Sequence, residues 1–120
     1  MTKKKEILVA DDDPAICEGI AMILDDAGYA VTTTTDGRTV KDVQRHHPDL
    51  IILDIWMSGV DGRDICKQLK SKKQTKNIPI IMISANKDTE KIAKNAGADG
   101  FIAKPFEMKE LLTTVGRYVL

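Results

Sequence analysis

The chain has 120 residues, 42% of them hydrophobic and 30% charged, with four prolines, which is the composition of one ordinary globular domain and not of a disordered or fibrous chain. Eighteen acids balance eighteen bases, and reading motifs with interleaved aromatics are lacking, so direct nucleic-acid binding is not expected. No apolar run approaches the roughly 18 residues that cross a bilayer, and Met1-Thr2-Lys3-Lys4-Lys5-Glu6 leads into a strand instead of a signal-peptide apolar region, so a cytoplasmic protein without membrane contact is expected.

Residues 6–10 open the chain as an apolar strand that runs into Asp11-Asp12-Asp13. Pro14 suits the first turn of a helix with Asp13 as its N-cap, an apolar stripe of Ile16, Ile20, Ile23, Leu24 and Ala27, and Gly28 at its end. Residues 29–33 form the next strand. With Thr32 to Thr35 in a row it is the most polar of the set and is expected at a sheet edge. Asp36-Gly37 starts a second helix with a weak stripe, Val40 and Val43, that closes on His46-His47 before Pro48, where cations suit a helix C-terminus. Both histidines read as surface residues.

Residues 50–53 are continuously apolar, as in a sheet covered on both faces, and end in Asp54; Asp49 lies at the opposite end of the same strand. Asp61-Gly62 marks the start of a third helix carrying Ile65 and Leu69, with Asp61 as its cap. Lys67, Lys70, Lys72, Lys73 and Lys76, at its end and in the following loop, read as a solvated face. They account for much of the uneven charge, since residues 1–62 hold twelve acids and six bases and residues 63–120 the reverse. A strand over 79–83 ends in Ser84. A helix with Ile92, Ala93 and Ala96 stops at Gly97, and a strand over 100–103 ends in Lys104-Pro105. The last helix carries Met108, Leu111, Leu112, Val115 and Val119. Cys17 and Cys66 fit no CxxC or zinc spacing and are expected as small buried apolar groups, without a disulfide.

The pattern is β followed by α, five times, with no repeat or linker, which predicts one α/β domain over residues 1–120. Ligands of such parallel sheets bind outside the carboxyl ends of the strands, so Asp11, Asp12, Asp54, Ser84 and Lys104 should converge there. Two carboxylates 4 Å apart repel by about 4 kcal/mol at an effective dielectric near 20, so a cation is required. Oxygen-only ligands with room for water and phosphate oxygens suit Mg²⁺ or Mn²⁺ better than zinc. A metal, a lysine and a hydroxyl around a carboxylate are what a phosphoryl group needs, and Asp54 is the natural acceptor.

In order and spacing, the segments Ile7 to Pro14, Pro48 to Asp54, Gly59-Val60-Asp61-Gly62, Ile80 to Ala85, Gly97-Ala98-Asp99-Gly100 and Lys104-Pro105-Phe106 resemble the receiver domain of two-component response regulators, over essentially the whole chain. The resemblance implies a flavodoxin-like, doubly wound fold with a five-stranded parallel sheet of order 2-1-3-4-5. It implies Asp54 as phosphoacceptor, Asp12 as direct metal ligand, Asp11 as a ligand through water, and the Trp56 main-chain carbonyl as a further ligand. Ser84 and Phe101 become the switch residues and Lys104 the phosphate-binding lysine, with a cis bond before Pro105. Such a domain catalyses only its own phosphorylation and dephosphorylation and changes the surface of its fourth helix, fifth strand and fifth helix. The implied partners are a histidine kinase or histidine phosphotransfer protein and a downstream effector or fused output domain, with phosphorylation-dependent homodimerisation as a further option.

Three positions depart from the family pattern: Ser58 replaces a proline, Trp56 is bulky beside the phosphate site, and Phe101 lacks a hydroxyl. Two other readings remain at this level. One is a phosphorylation-independent interaction module with the same fold. The other is an Mg²⁺-dependent phosphohydrolase of the haloacid-dehalogenase type, since Asp11-Asp12-Asp13 contains Asp-x-Asp, although Pro14-Ala15 stands where that type has Gly-Thr. No glycine-rich loop follows the first strand, which speaks against a nucleotide site.

Overall fold

The apolar runs form strands in the computed structural model, which describes residues 4–44, 47–57 and 59–119. The expectations for His46, Ser58 and Leu120 lie outside the described residues, as does the side chain of Val43. Strands β1 (Glu6–Ala10), β2 (Ala30–Thr34), β3 (Leu50–Asp54), β6 (Ile80–Ser84) and β7 (Gly100–Ala103) make a parallel sheet of order β2-β1-β3-β6-β7, which is the order 2-1-3-4-5 expected of five long strands. The polar strand β2 lies at the edge, as its threonines indicate.

Strand alternation sorts the core into two layers. Ile7, Val9, Leu50, Ile52, Ile81, Ile83 and Ile102 face helices α1 (Pro14–Asp26) and α4 (Met108–Tyr118), while Ala10, Ile51, Leu53, Ile80 and Met82 face α2 (Gly62–Ser71) and α3 (Glu90–Asn95). Every residue of β3 and β6 is therefore buried, which explains their unbroken apolar sequence. Cys17 and Cys66 are buried free thiols, both raised by burial, Cys66 to about 11, so neither is a reactive thiolate.

Three features differ from the sequence expectation. Residues 37–44 form a 3-10 helix and not an α-helix. Local side chains hold its first turn: Asp36 Oδ1 accepts from the Arg38 amide at 3.0 Å, and Thr39 Oγ1 donates to the Asp36 carbonyl at 2.8 Å. Next, a two-residue hairpin, β4 (Trp56–Met57) and β5 (Val60–Asp61), turns at Gly59 with φ +71°, and strands this short leave no period in sequence. Finally, Lys70 is not part of a solvated face. Its ammonium donates to the Ile78 carbonyl at 2.9 Å and to Asp99 Oδ2 at 2.7 Å, tying the loop after α2 to the start of β7, whereas Lys67, Lys73 and Lys76 are exposed as expected.

Candidate functional site

The register sets the ends of β1, β3, β6 and β7 level, since Ala10 pairs with Leu53, Asp54 with Ile83, and Ser84 with Ala103. The next residue along each of β1 and β7 is then Asp11 or Lys104, while Asp54 and Ser84 are themselves strand ends. Asp11 is fully buried. Its amide donates to the Thr34 carbonyl at 3.1 Å, its Oδ1 accepts from the Asp13 amide at 2.9 Å, and its carbonyl accepts the Cys17 thiol at 3.2 Å. Asp13 in turn accepts from the Ala15 amide and caps α1 ahead of Pro14, the structural role expected of it.

Asp54 is buried, and its Oδ1 accepts from the Trp56 amide at 3.3 Å. Lys104 reaches both acids: its ammonium lies 2.8 Å from Asp11 Oδ2 and 3.6 Å from Asp54 Oδ2. The Lys104 amide donates to the Ser84 carbonyl at 2.8 Å, and the bond to Pro105 is cis, as the resemblance implies. Ser84 is buried, with its hydroxyl oxygen accepting from the Asn86 amide at 3.2 Å. Phe101, half-buried, packs on the α2/α3 side of β7 and lines a shallow depression of about 230 Å³ with Tyr118, Thr114 and Lys94.

Burial pushes the Asp54 carboxyl up to about 6, with the charge of Asp11 adding to the rise and Lys104 and the Trp56 amide opposing it. Burial works against the Lys104 charge, but the close ionic contact with Asp11, with the charge of Asp54, outweighs it and holds the ammonium above its ordinary value. Carboxylate oxygens of Asp11, Asp12 and Asp54 all lie within 4.8 Å of one another. The contact of Asp11 Oδ2 with Lys104 is ionic without hydrogen-bond alignment, which leaves a buried oxygen with no hydrogen-bond donor. A buried acceptor of this kind beside two more carboxylates fits a hard divalent cation.

Sequence reasoning missed two features. Arg63, counted only as a charge, binds Asp61 through Nε and Nη2 at 3.0 and 2.6 Å and lies 4.7 Å over the centre of the Trp56 ring. The Asp-x-Arg spacing was the available signal. The second is an apolar groove of about 360 Å³ between α1 and the turn after β7, lined by Ile16, Gly19, Ile20, Ile23, Pro105 and Phe106 and meeting the site at Lys104. Ile16 and Ile23 belong to the apolar stripe of α1 but remain half-exposed.

The family model described as the response regulator receiver domain matches residues 7–116. The chain is similar to the DNA-binding response regulator MtrA of Mycolicibacterium smegmatis, 34% identical over 117 residues that cover 95% of this chain and 50% of that one. It is also similar to the DNA-binding dual master transcriptional regulator RpaA of Synechocystis sp., 38% identical over 112 residues covering 91% and 46%. The chain thus spans about half the length of the curated relatives it matches. Among solved structures, the chemotaxis response regulator CheY4 of Vibrio cholerae superposes with a TM-score of 0.90 at 32% identity, covering 98% of this chain and 100% of that one. The receiver domain of the sensor histidine kinase PA1611 from Pseudomonas aeruginosa PAO1, which has a magnesium ion coordinated in its active-site cleft, superposes with a TM-score of 0.88 at 28% identity, covering 97% and 98%. Among the described residues no helix is long and apolar enough to cross a membrane.

Proposed function

The chain belongs to the response-regulator receiver family, whose function is to accept a phosphoryl group in two-component signalling, and on that premise we propose that Asp54 is its phosphoacceptor. The observation that carries the assignment is a buried carboxylate at the end of the central strand, set between a lysine ammonium and two more acids. A carboxyl held near 6 is roughly nine-tenths ionised at pH 7, so the nucleophile is available without a separate base. An Asp54 oxygen attacks the phosphorus of a donor phosphohistidine. The P–N bond breaks, its electron pair goes to the imidazole nitrogen, and that nitrogen takes up a proton.

Asp11, Asp12, Asp54 and the main-chain carbonyl of Trp56 would hold Mg²⁺ or Mn²⁺, which supplies charge neutralisation for the phosphoryl oxygens when bound. Lys104 gives the phosphoryl group a fixed cation on the side facing β7, and Ser84 offers its hydroxyl from the end of β6. The domain catalyses only its own phosphorylation and dephosphorylation. Ser84 and Phe101 then couple the phosphoryl group to the surface of α3, β7 and α4, where a downstream effector, an attached output domain or a second copy of the chain would respond.

The donor is a histidine kinase or histidine phosphotransfer protein. An apolar groove that shares Lys104 with the acceptor site suits a donor presenting its histidine from an apolar helix face. The experiment is intact-mass spectrometry after incubation with acetyl phosphate, with and without Mg²⁺. Wild type should gain one phosphoryl group only with metal, and Asp54→Ala should gain none. Uptake by Asp54→Ala, or none by wild type with metal, would overturn the assignment.

A further inference from the structure

Asp54 and Ile55 are gripped from both arms of the β4–β5 hairpin. On one arm the Trp56 amide donates to Asp54 Oδ1 at 3.3 Å. On the other the Gly62 amide donates to the Ile55 carbonyl at 2.9 Å, and Gly62 lies so close that a Cβ there would come within 2.3 Å of the Asp54 carbonyl oxygen. The hairpin itself has only the pairs Trp56 with Asp61 and Met57 with Val60, too few to hold these arms together unaided. What joins them is a chain of side chains. Asp61 caps α2 through the Arg63 amide at 2.9 Å and binds the Arg63 guanidinium with both carboxylate oxygens, and the guanidinium so fixed lies over the Trp56 ring. Trp56 is 49% exposed and the Arg63 side chain 37%, so core packing does not force the contact.

We propose that Arg63 is a positioning residue for the phosphoacceptor site: by stacking on Trp56 while held by Asp61, it fixes the main chain of residue 56 at the Asp54 carboxylate and so sets the affinity of the site for its divalent cation. The inference rests on the reading of Asp54 as a metal-dependent acceptor. Two properties of arginine carry it. The planar fork satisfies a carboxylate with two donors, and its flat face stacks on an aromatic ring at the same time, which an ammonium cannot do. An indole tied down in this way restrains the backbone that bears it, and groups that orient a metal ligand through contacts of this sort tune affinity without touching the ion.

Trp56 is the only tryptophan in the chain, so its emission reports a titration of the metal-free protein with MgCl₂ directly. Arg63→Gln should weaken Mg²⁺ binding about tenfold, the low end of what losing support for a metal ligand costs. Arg63→Lys should recover little of this. Measured by calorimetry, Trp56→Phe should stay within about twofold of wild type, because a stacking ring remains, and Trp56→Ala should match Arg63→Gln. The double variant Arg63→Gln, Trp56→Ala should be no worse than either single one, since both remove the same contact. With acetyl phosphate, the Arg63→Gln rate should recover at saturating Mg²⁺. An Mg²⁺ affinity unchanged in Arg63→Gln, or additive losses in the double variant, would overturn the proposal. If wild type gains no phosphoryl group and the affinity loss in Arg63→Gln still appears, the acceptor reading falls and the positioning role stands. A wild type that binds neither Mg²⁺ nor Mn²⁺ overturns both.

Discussion

Replacing Asp54 by asparagine should abolish phosphoryl uptake and yet make the metal-free protein more stable at neutral pH. Burial, and then the charge of Asp11, hold the Asp54 carboxyl at about 6 in the folded chain against 3.8 for its ordinary value. Because the folded value lies above the unfolded one, the folded state keeps the proton longer as pH rises. The stability contributed by Asp54 is complete below the unfolded value and is lost as pH rises through about 6. A gap of about two units amounts to about 3 kcal/mol of lost stability at pH 7.5 and to about 1 kcal/mol at pH 4.5. An asparagine of the same shape is neutral throughout and escapes this. Asp54→Asn should therefore exceed wild type by about 2–3 kcal/mol at pH 7.5, or very roughly 10 °C in Tm for a domain of this size. At pH 4.5 the advantage should shrink to about 1 kcal/mol. Millimolar Mg²⁺ should narrow the gap at pH 7.5 by favouring the ionised wild-type carboxylate. Urea unfolding followed by circular dichroism in EDTA, at both pH values, measures the difference between the two chains and cancels the acids they share. Equal stability at pH 7.5, or a gap that does not shrink at pH 4.5, would refute the reasoning.

Gly62→Ala should cost about 2 kcal/mol or more and slow phosphorylation, because the added Cβ meets the Asp54 main chain and not a movable side-chain tip. Gly19→Ala, with nothing within 4 Å of the new Cβ, should instead gain about 0.5–1 kcal/mol; melting curves of the two variants make the comparison. Lys70→Met keeps the apolar stem but strips donors from the Ile78 carbonyl and Asp99, and water replaces them only in part, so a loss of about 1 kcal/mol is expected in urea titration. Lys73→Met, at an exposed position, should stay within about 0.5 kcal/mol of wild type.

The fold was legible because β3 and β6 are covered on both faces and so carry unbroken apolar runs, and because Asp13-Pro14, Gly28, Asp61-Gly62 and Gly97 punctuate the helices that cover them. The acidic site was legible for a related reason. A residue that ends an apolar strand has its position fixed by the sheet, so Asp11, Asp54 and Lys104 could be brought together from their places in the sequence alone. Features that depend on local competition were not legible. Asp36 and Thr39 hold the turn that begins residues 37–44 with side-chain hydrogen bonds that helical periodicity does not register. Lys70 has the same sequence appearance as Lys67 and Lys73, and only the path of the loop over residues 72–79 gives it carbonyls to bind. Arg63 depends on the hairpin that brings Trp56 opposite Asp61.

The charges of the site also bear on how a phosphoryl group could move a surface. Asp11, Asp12 and Asp54 carry three negative charges against one from Lys104, and a divalent cation would bring that cluster to neutrality. On the proposed reading, converting the Asp54 carboxylate to an acyl phosphate adds about one further negative charge and three acceptor oxygens at the ends of the strands. Lys104 is already shared between two acids, so the added charge must be met by a group that can move toward it. On the same proposed reading, Ser84 would be that group. It ends β6, and its side-chain oxygen accepts from the Asn86 amide, a bond that would have to yield as the hydroxyl turns. On that reading, a turn that shifts there would displace the 3-10 segment Lys87–Thr89 and the six-residue helix α3 behind it. Phe101 packs on that same side and has no hydroxyl, so on the proposed reading it would follow Ser84 through the space that α3 leaves and not act as an independent hydrogen-bonding switch.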